Sequence, residues 1–204
     1  MRRSIAMRSL VQVEKYLHPG AVYRRTDLTK WSKSVDRHLQ DLQKKGTLVK
    51  LSGGLYYYPK KTAFGEVPAD DQTLVVSFLK DNRFLITTTN AYNALGVGTT
   101  QLYNETVVYN HKRHGHFQLG GRAFDFRMKS HFPRQLSPEF LLVDLVNNIE
   151  KLAENKNQVL NNVKKKALSM NPEALSQAVL HYGGACAKKF FSAILRKDRL
   201  RYGA

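Results

Sequence analysis

Cysteine is almost absent from this sequence: Cys186 is the single one in 204 residues. That excludes a disulfide framework and any cysteine-based zinc finger, and it leads us to expect a reducing, cytoplasmic setting. Acidic residues are scarce as well, 16 against 33 lysines and arginines, for a formal net charge of +17. A surplus of that size needs a polyanionic partner or a tolerated self-repulsion. Long apolar runs are missing. Nothing approaches the roughly 18 residues that cross a bilayer, and the basic opening MRRSIAMRSLVQVEKYL lacks the unbroken apolar segment of a secretory signal, so no membrane association is expected. No Gly-x-Ser-x-Gly, P-loop, Gly-x-Gly-x-x-Gly or His-Glu-x-x-His occurs either. What is present is 42% hydrophobic residues, which suffices for a core and excludes general disorder. The length fits one large domain or two small ones.

The charge is unevenly placed. Residues 1–60 carry 13 lysines and arginines against 4 acidic residues, residues 61–136 carry 9 against 6, and residues 137–204 carry 11 against 6. The first stretch thus holds a net of +9, over half the surplus in under a third of the length. Such concentration predicts a nucleic-acid-binding module joined to a more neutral body.

The local pattern agrees. Ala6, Leu10, Val13 and Leu17 recur on one face of an amphipathic helix, which Pro19-Gly20 stops. Ala21 to Tyr23 reads as a short strand and Thr26 to Trp31 as a second short helix. Ser32 or Ser34 can cap a third helix through SVDRHLQDLQKK to Gly46, with Val35, Leu39 and Leu42 facing inward. Two β runs, TLVKL and LYYYP, then flank Ser52-Gly53-Gly54 as a hairpin. Three helices and a hairpin in this order are those of a winged helix-turn-helix. Its third helix belongs in the major groove. With the apolar stripe inward, Lys33, Arg37, Gln40 and Lys44 face outward, flanked by Ser34 and Asp41. Arg37 suits a guanine edge and Gln40 an adenine edge. Lys33 and Lys44 suit phosphates, as do Arg24 and Arg25 at the second helix, and Lys50 and Ser52 at the wing tip.

Beyond this region, Asp71 to Lys80 reads as a helix, Phe84 to Ile86 as a strand, and Thr88 to Leu95 as a helix ended by Gly96. Val107 to Asn110, His116 to Leu119 and Arg122 to Met128 read as strands, with Gly120-Gly121 as a tight turn. In the last strand Phe124 and Phe126 share one side, Asp125 and Arg127 the other. After Pro133 the chain turns helical. Ser137-Pro138-Glu139 opens one helix, and Val159 to Leu168, Pro172 to His181 and Ala185 to Lys197 form three more. The expected fold class is α+β. A winged helix-turn-helix over 1–60 and a connector over 61–69 precede an α+β domain over 70–204, which has a small antiparallel sheet and a helical C-terminal part.

Catalysis is not expected, and no catalytic residue, cofactor or metal is assigned. His111, His114 and His116 have a metal-like spacing but fall at a hairpin turn, where an exposed polar turn is the simpler reading. Cys186 reads as a small buried hydrophobe rather than a nucleophile. Asp70 and Asp71 sit where carboxylates favour a helix N-terminus. Asp125 and Glu105 have no partner spacing that makes a nuclease.

Two segments resemble the AbiEi-type antitoxins. The run SVDRHLQDLQKKGTLVKLSGGLYYYPKKTAFGEVP carries that family's pattern as Ser34-Val35-Asp36, Leu39 and Leu42, Lys44-Lys45-Gly46, and Gly54-Leu55-Tyr56 with Pro59. The run TTTNAYNALGVGTTQLYNETVVYNHKRHGHFQLGGRAFDFRM resembles its Asn-Ala-Leu-Gly helix end, Thr-Gln pair and glycine-flanked strands. The similarity spans about residues 20–135. It implies the antitoxin of a bacterial type IV toxin–antitoxin module, of the kind used in abortive-infection defence against phage. In that reading the winged helix represses its own operon at an operator with inverted repeats. The C-terminal domain counters a nucleotidyltransferase-like toxin, without a stable complex.

Two other readings remain open. One is a free-standing winged-helix regulator whose second domain senses a ligand or dimerises. The other is a nucleic-acid-processing enzyme with a cryptic site.

Overall fold

The computed structural model describes residues 10–202. The chain forms two compact units. One holds the described residues through Asn82 together with His116–Phe124; the other holds Arg83–Gly115 and the chain from Asp125 onward.

In the first unit, residues 10–14 are helical (α1) and place Leu10 and Val13 in the core, which Leu17 joins just beyond the helix; Ala6 lies outside the described residues. Strand β1 (Val22–Arg24) leads into a single helical turn, α2 (Arg25–Leu28), shorter than the six residues the sequence pattern predicts. Helix α3 (Val35–Lys44) follows. Gly46, at φ +71°, ends it with a backbone conformation that a side chain would strain. Strands β2 (Val49–Ser52) and β3 (Leu55–Tyr57) form the hairpin, and β1 adds to β3, giving the antiparallel order β1-β3-β2. Leu10, Val13, Leu17, Tyr23, Leu28, Val35, Leu39, Leu42, Leu48 and Tyr56 close one apolar cluster between these elements.

The expected connector is not extended chain. Strands β4 (Lys60–Thr62) and β5 (Gly65–Val67) pair as a second hairpin, whose turn is held by Thr62 Oγ1 donating to the Gly65 carbonyl at 2.9 Å. Tyr57 Oη donates to the Val67 carbonyl at 2.7 Å and ties this hairpin to β3. Helix α4 (Asp71–Leu79) starts where Asp70 accepts the Thr73 hydroxyl at 2.7 Å and the Thr73 N–H at 2.8 Å; the hydroxyl first and the N–H second hold the Asp70 carboxyl below its usual range. It packs against β1.

A four-stranded antiparallel sheet has the order β6-β7-β9-β8, from β6 (Phe84–Thr88), β7 (Thr106–Asn110), β8 (Gly115–Leu119) and β9 (Arg122–Met128). The division between the units falls inside β9, after Phe124. The turn joining β8 and β9 is Gly120-Gly121 at φ +58° and +79°, which only glycine adopts without strain. Gly120 N–H donates to the Leu51 carbonyl at 3.0 Å, and a Cβ on Gly120 would sit 3.0 Å from Leu51 Cδ2. Arg122 pairs with Asp71 at 2.6 Å and donates to the Ala69 carbonyl. These contacts explain why His116–Phe124 folds with the first unit.

In the second unit Thr89–Leu95 is a 3-10 helix ended by Gly96 rather than an α-helix. Helix α5 (Pro138–Asn147), capped by Ser137, is buried through seven consecutive residues, Phe140 to Val146, so it is the unit's axis. Around it lie α6 (Lys156–Leu168), α7 (Pro172–Tyr182) and α8 (Ala185–Tyr202). The architecture is mixed α and β, with small antiparallel sheets and helices. No helix among the described residues is long and apolar enough to cross a membrane.

Candidate nucleic-acid interface

Helix α3 presents two unlike faces. Val35, Leu39 and Leu42 are buried as their spacing predicts, and so is His38, which the apolar stripe does not reveal. His38 Nδ1 shares a 2.7 Å hydrogen bond with Ser32 Oγ, and the same oxygen accepts the Ser34 N–H at 3.1 Å. Ser32 therefore organises the entry to α3 from inside. Ser34 occupies the N-cap position, exposed, and its side chain makes no capping bond.

The opposite face carries Arg37, Gln40 and Lys44, all exposed, with Lys33 exposed just before it. Lys50 is exposed on β2, and Ser52 is half-buried beside the Gly53-Gly54 turn. Among the described residues, Lys33, Arg37, Lys44 and Lys50 make no ion pair. Their neighbours do. Arg25 Nε and Nη2 clasp the two Asp36 carboxylate oxygens at 2.6 Å each, joining α2 to the first turn of α3. The Arg25 fork holds the Asp36 carboxyl below its usual range and is itself raised. Arg24 caps α2, its backbone N–H reaching Asp27 Oδ2 at 3.1 Å and its Nε at 3.4 Å. Lys45 pairs with Glu14 at 2.9 Å. The sequence pattern groups Arg24 and Arg25 with the phosphate anchors; in the structure each also holds a carboxylate, Arg24 that of Asp27 and Arg25 that of Asp36, contacts visible only once the fold brings Asp36 to Arg25.

The second unit holds a polar cluster that sequence reasoning did not find. Asp144, 2% exposed on α5, accepts from Tyr92 Oη at 2.7 Å and from Tyr109 Oη at 2.7 and 2.8 Å. Asn148 Nδ2 adds a 3.2 Å bond to the same carboxyl, and Arg127 Nη1 donates to Asn148 Oδ1 at 2.9 Å. Arg127 Nε pairs with Asp125 at 2.6 Å. Burial first, then the Asp144 charge, raises both phenols above their ordinary range. The strand alternation in β9 holds, but its second face is covered too: Phe124, Asp125, Phe126 and Arg127 are all buried. Each of these polar groups is met by another inside the core, so the cluster serves packing rather than chemistry at a surface.

His111, His114 and His116 are exposed; His111 and His114 occupy the turn after β7, shaped by Asn110, whose Oδ1 accepts the Lys112 and Arg113 N–H groups at 2.8 and 2.7 Å, and His116 lies on β8. Cys186 is exposed on α8, so the expectation of a buried thiol fails. Among the described residues, that helix buries Ala187 and Phe191 and packs Phe190, Ile194 and Leu195, half-buried, against the core.

A profile of DUF6088, described as a family of unknown function, matches residues 11–172. No match is found among curated proteins. Among solved structures, the chain is similar to the crystal structure of the RV2827C protein from Mycobacterium tuberculosis, at 16% identity and a TM-score of 0.54, over 86% of this chain and 71% of that one. At that identity the likeness concerns the fold alone.

Proposed function

We propose, on the premise that the chain belongs to the DUF6088 family, that it is a DNA-binding antitoxin that represses its own operon. The first unit is read as a winged helix-turn-helix over residues 1–60, with α3 as the recognition helix and the β2–β3 hairpin as the wing. The observation that carries the reading is the basic edge of α3: among the described residues, Lys33, Arg37 and Lys44 with Lys50 on β2 are exposed and make no ion pair, while Arg24, Arg25 and Lys45 beside them hold carboxylates. Lysines elsewhere on the unit, such as Lys30, are unpaired as well, so it is the alignment of Arg37 and Lys44 along one exposed helix face, more than the lack of pairs, that suits a phosphate backbone. Gln40 stands one turn from Arg37 and Lys44 on the same exposed face, the place for a base-reading amide.

The antitoxin role rests on the resemblance of residues 20–135 to AbiEi-type antitoxins. In this reading the chain from residue 70 counters a nucleotidyltransferase-like toxin, and the protein itself is not an enzyme. Two assays test the two parts. Footprinting on the DNA upstream of its own gene should show protected inverted repeats. A nucleotidyltransferase-like toxin should be encoded beside it, and co-expression with that toxin should restore growth. A footprint without rescue would leave a free-standing regulator, and rescue without a footprint would remove the repressor role.

A further inference from the structure

In the second unit, three histidines from three separate segments line one cavity of about 270 Å³. His111 follows β7, His131 lies in the segment after β9, and His181 is in the last turn of α7. Ser130, Phe132 and Tyr182 complete the lining. The walls are fixed before any ligand arrives. The His111 ring stacks on Phe132 at 4.6 Å with 29° between planes, and Tyr182 packs edge-on against Phe140 at 5.3 Å. Asn147 grips the end of α7, donating to the Tyr182 carbonyl at 2.9 Å and accepting the Gly184 N–H at 2.8 Å.

The chemistry of the lining is one-sided. It offers imidazole N–H groups, two hydroxyls and aromatic rings, and it contains no carboxylate. Lysine and arginine flank it in sequence at Lys112, Arg113, Lys129 and Arg134. Among the described residues the three imidazoles do not bring one nitrogen each within 4.8 Å of the others, so they are not set around one metal ion. Imidazole and hydroxyl donors with no carboxylate to repel it suit an anion, and rings suit a flat partner. The volume lies just under the roughly 300–1,000 Å³ of sites for drug-sized ligands, room for one nucleotide and not two.

We propose that this cavity binds a single nucleotide unit, its base against the aromatic lining and its phosphate on the imidazole N–H groups of His131 and His181. The unit comes either as a free mononucleotide or as an unstacked nucleotide of a single strand, which proteins hold by the same stacking and phosphate contacts. All six lining residues belong to the second unit, so the proposal does not rest on the operator-binding reading of α3.

Calorimetric titration of the full chain with 5′-AMP, adenosine, inorganic phosphate and a dA pentamer tests it, alongside the His131→Ala/His181→Ala double variant. Both histidines are exposed, so the variant should melt as the wild type does. The expected result is saturable AMP binding, at least tenfold weaker for adenosine and for phosphate, and at least tenfold weaker for AMP in the double variant. Equal affinity for AMP and pentamer identifies the free nucleotide. A pentamer bound at least tenfold tighter, with that gain lost in the double variant, identifies the strand. Absence of saturable AMP binding at millimolar concentration, or AMP binding unchanged in a folded double variant, overturns the proposal.

Discussion

Arg37 and Lys44 share a helix face but do different work in the proposed DNA complex. Arg37 is placed toward the bases, so Arg37→Ala should cost about 1–3 kcal/mol at the operator and relax specificity at one position. Lys44 is placed on a phosphate, so Lys44→Ala should weaken operator and random DNA alike and lower the salt slope by about one. Mobility-shift titrations at two salt concentrations separate the two, and equal behaviour of the variants would sink the distinction. Exposure of Lys33, Arg37, Gln40 and Lys44 was legible in the sequence because one apolar stripe, Val35-Leu39-Leu42, fixes the helix phase. The fate of Arg25 was not legible. A guanidinium has the same sequence signature whether it meets a phosphate or Asp36, eleven residues away, and only the packing of α2 on α3 decides. The burial of His38 escaped for a similar reason, since its partner Ser32 reads as a helix cap.

At the scale of elements, the periodic segments were legible and the linking ones were not. Helix α5 announces itself by Ser137-Pro138-Glu139 and its apolar run, and β9 by its alternation. The β4–β5 hairpin reads as connector because Lys60, Lys61, Thr62 and Glu66 are polar and both strands stay exposed. Its stability comes from the Thr62–Gly65 turn and the Tyr57 bond, neither of which has an apolar signature. What joins α5 to the sheet is the buried Asp144 cluster. Asp144→Ala leaves the Tyr92 and Tyr109 hydroxyls and the Asn148 amide short of an acceptor inside the core. We expect a loss of about 3–5 kcal/mol by urea denaturation; a loss below about 1 kcal/mol would show the cluster to be dispensable. The same phenols set an alkaline limit. Their pKa values are raised in the fold, so above pH 10 the unfolded chain releases phenolic protons that the folded one keeps. Stability is whole below pH 10 and falls as pH rises beyond it, by about 1.4 kcal/mol per pH unit for each tyrosine. Unfolding at pH 9, 10 and 11 should show this excess slope over the Tyr92→Phe/Tyr109→Phe variant, and parallel slopes would refute it.

At the scale of the whole molecule, the chain does not divide where its composition changes. The sequence suggests that a fragment ending near residue 62 carries the DNA-binding fold. The first compact unit instead runs to Asn82 and takes in His116–Phe124, through α4 on β1, Arg122 on Asp71, and Gly120 on the Leu51 carbonyl. A fragment of residues 1–62 should therefore melt well below the full chain and bind operator more weakly; a fragment as stable and as tight as the full chain would contradict the packing. A discontinuous unit of this kind leaves no mark in local pattern, because its two parts lie more than thirty residues apart. The net charge of +17 by itself gives non-specific attraction to any polyanion, so affinity alone proves little. The most direct test is the salt dependence of the full chain on its own upstream DNA, read by fluorescence anisotropy beside a variant with Lys33, Lys44 and Lys50 all changed to Gln. The slope of log K against log salt should be shallower in the variant by about 2.7, three phosphate contacts at about 0.9 each. An unchanged slope, or equal affinity of the wild type for upstream and random DNA, would contradict the proposed DNA complex.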